Sequence, residues 1–192
     1  MKRYILLACI VTIVLVIGGY TNIKSNIETT NNKSIISTES LISPLKIDFK
    51  KANIEEARDF GESLKNGSVI MVSRDDSTEL EVYNIAVLDK FIKEFSNKKE
   101  GYARIIKGTI KDGKLLVNKL QELESDGKTI KSVQYDCYAH KDTFTPVKPL
   151  YFPKIGKSDT EKSLRYTLCP TTDTIDSEGA LLISFYKNSI KN

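Results

Sequence analysis

The stretch from Gly101 to Tyr138 constrains the fold of this chain more than any other. It reads GYARIIKGTIKDGKLLVNKLQELESDGKTIKSVQYDCY. Two Asp-Gly pairs, Asp112-Gly113 and Asp126-Gly127, cut it into three runs that alternate roughly between apolar and polar residues. Asp-Gly between such runs is a strong hairpin signal, because a type I′ turn needs positive φ at both central residues. The spacing predicts a three-stranded antiparallel meander. In its first strand Arg104 shares a face with Tyr102, Ile106 and Ile110, which alternation makes the inward face. An arginine there needs a partner, because a buried unpaired charge is costly. Asp136 and Asp142 are the candidates by position. The pairing serves either as an ion pair that locks a loop to the sheet or as part of an anion site.

The flanking segments supply helices and further strands. Asn53–Gly67 carries an N-cap Asn, early acidic residues, and Ile54, Ala57, Phe60 and Leu64 at helical spacing. Ser68–Ser73 is a short apolar run that reads as a strand. From Asn84, which sits at a cap position, Ile85, Leu88, Phe91, Ile92 and Phe95 form one apolar stripe of a second helix. Beyond Tyr138, Pro146, Pro149 and Pro153 predict a long irregular loop. Glu161–Pro170 and Gly179–Lys187 read as two more strands. The expected fold is α+β: an antiparallel sheet of about five to six strands, with the meander at its centre and two helices on one face.

The N-terminus, MKRYILLACIVTIVLVIGGYTN, places Lys2 and Arg3 before an apolar run. This pattern is a signal peptide or signal-anchor, with the membrane reached through residues 5–20. Residues 1–20 are therefore read apart from an Asn/Ser/Thr-rich stalk at 21–46 and a single extracytoplasmic domain at 47–192. The expected location is the cell membrane with the domain outside, or secretion. Charge argues against nucleic acid: Lys plus Arg is 29 against 25 for Asp plus Glu, without basic clustering. The single histidine, His140, rules out a His-rich metal site, and no metal or cofactor is expected.

Cys137 and Cys169 end two predicted strands, and an exported protein meets oxidising conditions. A disulfide between them is expected if the strands face each other; in the chain-entropy model such a loop contributes roughly 3–4 kcal/mol. The alternative is two separate thiols. Cys137 and His140 do not make a nucleophile–base pair, because residues three apart on a strand face opposite sides. Glu122 and Glu124 alternate beside the Asp126-Gly127 turn and read as a solvated edge. The pair Asp75-Asp76 and the group Asp173, Asp176 and Glu178 read as solvated turns. Phosphate-loop and serine-nucleophile motifs do not occur.

NGSVI (66–70), NIAVLDKFI (84–92), ARII (103–106), Thr109, Asp112-Gly113, DGKTI (126–130), Tyr135-Asp136 and Asp142-Thr-Phe144 come in a distinctive order. In this order the chain resembles an uncharacterised family of exported bacterial proteins, domain of unknown function 4362, over residues 52–145. Members are mostly small lipoproteins of low-GC Gram-positive bacteria. This chain departs from them where Tyr20 stands in place of the lipid-bearing cysteine. The resemblance implies export and envelope location but no activity, and Arg104, Asp136 and Asp142 match its pattern without an assigned role. The expected function is a non-catalytic binding module at the cell envelope, with an unknown protein or cell-wall partner. The alternative is a secreted hydrolase-like enzyme that uses Arg104 and nearby carboxylates.

Overall fold

The two Asp-Gly pairs close their hairpins by different means, and the difference shapes the sheet. The computed structural model describes residues 51–74, 77–139 and 143–191. In chain order these form a 3₁₀ turn (Ile54–Arg58), α1 (Phe60–Lys65), β1 (Val69–Arg74), β2 (Leu80–Tyr83) and α2 (Ala86–Ser96). The meander follows as β3 (Gly101–Lys111), β4 (Lys114–Ser125) and β5 (Ile130–Asp136). Then come β6 (Thr145–Pro146), β7 (Leu150–Phe152), β8 (Lys154–Asp159), β9 (Ser163–Cys169) and β10 (Ala180–Tyr186). At the first turn Asp112 has φ 50° and Gly113 φ 73°, the paired positive values of a type I′ turn. At the second only Gly127 is positive, at 81°. There Ser125 pairs with Ile130 across a longer loop, in which the Asp126 carboxylate accepts the amides of Lys128 and Thr129. A Cβ on Gly127 would lie 2.4 Å from the Lys98 carbonyl oxygen, so this glycine is also a close-approach site.

Seven strands form one sheet in the order β2-β1-β3-β4-β5-β6, with β7 also pairing β5, and β10-β9-β8 form a second. The α+β class and the central meander are as the sequence predicts. Two details differ. The sheet is mixed, because β1 runs parallel to β3; the connection through β2 and α2 brings the chain back in the same direction. The helices also lie on opposite faces. Leu88 and Phe91 of α2 pack with Val69, Ala103, Ile105 and Leu123 and with Leu164, Tyr166 and Leu182 of the small sheet. Ala57, Phe60 and Leu64 instead pack with Ile70, Val72, Ile106, Leu115 and Leu120 on the other side. A fully buried Phe91 alone contributes about 1.5–3 kcal/mol.

Local chemistry explains where the elements break. The first predicted helix splits at Asp59, whose backbone is extended (φ −100°, ψ 118°) and whose carboxylate accepts the Glu62 amide at 2.9 Å. Asn84 is not a side-chain cap. At φ 55° it turns the chain, and its amide donates at 3.0 Å to the carbonyls of both Leu64 and Ser68. The proline-rich segment is not an irregular loop but a run of short edge strands. β6 and β7 extend along β5, and Pro153 separates β7 in one sheet from β8 in the other. Edge position is where a residue without an N–H is tolerated.

Candidate functional site

A β-bulge builds the polar centre of the molecule. A regular register from the Asp112-Gly113 turn would set Arg104 against Gln121. The register shifts between Lys107 and Gly108, so that Asn118 is extra and Arg104 faces Glu122. Gly108 sits opposite the bulge, where a Cβ would lie 2.4 Å from the Leu116 carbonyl oxygen. From the bulge onward Leu120, Glu122 and Glu124 share the face of Tyr102, Arg104 and Ile106.

On that face Glu122 is 1% exposed and Arg104 4%. Arg104 Nε and Nη2 donate to Glu122 Oε1 at 3.1 and 2.9 Å. Its remaining reach goes to the carbonyls of Asn53 (3.1 Å) and Ala52 (2.6 Å). Tyr102 donates to Glu122 Oε1 at 2.5 Å and Tyr135 to Oε2 at 2.9 Å. Lys51 lies 3.6 Å from Glu122 and donates to Glu124, which also accepts from Lys131 at 3.0 Å. Burial alone would raise the Glu122 pKa. Hydrogen bonds from Tyr102 and Tyr135, with the charge of Arg104, outweigh it and hold the carboxyl below its ordinary value. Burial pushes both tyrosines up, and the Glu122 carboxylate adds to the shift. The result is a satisfied buried network that ties the segment at Lys51–Asn53 to the meander.

This arrangement corrects three expectations. The partner of Arg104 is Glu122, not Asp136, whose carboxylate accepts the amides of Tyr138 and Ala139 instead. Asp142 and His140 lie outside the described residues. Glu122 and Glu124 are buried rather than a solvated edge. Cys137 and Cys169 are free thiols on different layers. Cys137 borders the core on the α1 face of the large sheet, while Cys169 lies on the small sheet beside Thr167 and near Gly179. No disulfide joins them, which is the alternative of two separate thiols. Burial raises the Cys137 pKa, the opposite of an activated thiol.

A second feature, with no signature in the sequence, is an open cleft of about 520 Å³ beside the start of β3. Parallel pairing with β1 begins only at Ile105, so Gly101–Arg104 have a strand on their β4 side alone. The cleft follows this unpaired edge and is lined by Asn66–Ser68, Val87, Lys90, Glu94 and Glu100. It thus contains Arg104 and two carboxylates, but the Arg104 guanidinium is already engaged below them. The cleft escaped sequence reading because it depends on where the parallel pairing stops. Among the described residues, no group of three or more His, Cys, Asp and Glu is placed to hold a metal ion. Nor, among them, is any helix long and apolar enough to cross a membrane; residues 5–20 lie outside them.

Comparisons with family models, curated proteins and solved structures returned no match to this chain.

Proposed function

We propose that this chain is a non-catalytic binding module at the cell envelope. In this reading residues 1–20 lead the chain to the membrane, and the domain works outside the cell, tethered or secreted, as the resemblance to the exported family implies. Its partner is a protein that offers an extended segment to the β3 edge. The Gly101–Arg104 edge, which has no strand on its β1 side and borders the 520 Å³ cleft, carries the reading, because a strand edge without a neighbour supplies backbone donors and acceptors for an added strand. The mixed charges of Lys90, Glu94 and Glu100 suit a polar segment. The hydrolase alternative is weaker, because Glu122 accepts on both oxygens and Arg104 is engaged by three partners. Neither is left to act on a substrate.

Capture from native cell envelopes with the full chain as bait tests this, alongside Val87→Glu, Lys90→Glu and a remote control, Lys111→Glu. The reading expects a partner retained by wild type and control but lost from both cleft variants. Equal capture by all four chains would contradict it.

A further inference from the structure

The same hairpin presents a second cross-strand pair on its other face. Lys107 of β3 stands directly opposite Lys119 of β4. Both are partly buried. Directly opposed like charges destabilise a sheet unless something neutralises them. Among the described residues no carboxylate pairs with either. Lys119 reaches only the Leu181 carbonyl, at 3.5 Å. Burial first, and the neighbouring Lys119 charge second, lower the Lys107 pKa to about 8. Burial lowers that of Lys119 as well.

A hydroxyl pair adjoins them. Thr109 follows Lys107 on the same face, and its hydroxyl lies 3.3 Å from that of Ser73 on β1. Only one of the two O–H groups can donate to the other, so one donor is left over. On the same face Gln121 is buried, its Nε2 donating to Ser132 at 2.8 Å while its Oε1 has no partner among the described residues.

We propose that Lys107 and Lys119, with the Ser73–Thr109 hydroxyls, form a binding site for a dianionic phosphate group. Two ammonium groups call for two negative charges, which a single carboxylate does not supply, and lysine serves phosphate well as a point charge. The leftover hydroxyl donor completes the oxygen shell. The site is independent of the cleft on β3 and lies on the opposite side of the hairpin from Glu122. The group could come from free phosphate or from a lipid headgroup.

The test uses the full chain with reductively methylated lysines, so that the Lys107 resonance reports its own titration by NMR. Inorganic phosphate is compared with sodium chloride at equal ionic strength. In separate samples, phosphatidylcholine vesicles are compared with and without phosphatidic acid. The proposal expects phosphate or the phosphatidic-acid headgroup to raise the Lys107 pKa from about 8, beyond the effect of chloride or plain vesicles. A response to soluble phosphate assigns a free ligand, and a response to phosphatidic acid alone assigns the headgroup. Half-saturation should weaken by about tenfold or more in Lys119→Gln, where one charge-assisted contact is lost. A pKa unmoved by either source would overturn the site, as would an unchanged midpoint in Lys119→Gln.

Discussion

Arg104–Glu122 and Lys107–Lys119 are cross-strand pairs of one hairpin, three positions apart along β3 and placed on opposite faces of one sheet. The first is complementary, almost wholly buried and saturated with hydrogen bonds. The second is like-charged, partly exposed and short of partners among the described residues. Both exist because one bulge at Asn118 moves the register by a residue. Without it Arg104 would face Gln121, and Lys107 would face Asn118. A single backbone irregularity thus creates a structural ion pair on one side and leaves two unneutralised ammonium groups on the other. Buried charge becomes structure when its donors and acceptors close on themselves, and it becomes a candidate site when they do not.

Removing the Glu122 carboxylate should have the largest effect, because Arg104 stays buried without its counter-charge. Glu122→Ala is expected to lose about 3–5 kcal/mol in urea unfolding. A loss below about 1 kcal/mol would place the pair among exposed ion pairs. Next comes the bulge itself. Gly108→Ala sets a methyl against the Leu116 carbonyl oxygen and should cost about 1–3 kcal/mol, with amide shifts at both charge pairs in NMR spectra. Smaller again is Tyr135→Phe, which deletes one hydrogen bond to a charged acceptor and should cost about 1.5 kcal/mol by the same unfolding assay.

Acid titration sharpens the contrast. The folded-state pKa of Glu122 lies below its unfolded value. Its stabilisation is therefore fully present above about pH 4.3 and is lost as pH falls through the lower folded value. Glu122→Gln should show less stability loss than wild type between about pH 4.3 and the acid limit. Parallel acid curves for the two chains would mean that Glu122 is not held ionised by the fold.

Much of this architecture is legible in the sequence, and the gaps have physical causes. Asp112-Gly113 predicts its turn because both residues must take positive φ, and Arg104 is recognised as inward by alternation alone. Its partner is missed because alternation assumes an unbroken register. The available signal was Gly108, an isolated glycine within a strand, which often marks a bulge. Glu122 and Glu124 look solvated until that shift puts them opposite Arg104 and Tyr102. The prolines at 146, 149 and 153 predict irregularity, yet the edge strand β6 accepts Pro146, and Pro149 and Pro153 fall between short strands. The cleft was illegible, since it exists only where β1 stops short of Gly101–Arg104.

Urea unfolding of wild type, Glu122→Ala and Lys107→Gln in parallel tests the central contrast most directly. At pH 7 a lower midpoint is expected for Glu122→Ala and a higher one for Lys107→Gln, since the latter removes a partly buried charge that no carboxylate among the described residues neutralises. The folded Lys107 pKa is about 8, below the unfolded value of roughly 10.4. Wild type should therefore gain stability as pH rises from about 8 toward 10, and the advantage of Lys107→Gln should narrow. A midpoint for Lys107→Gln that falls at pH 7 as far as that of Glu122→Ala would contradict the account, because both pairs would then be structural.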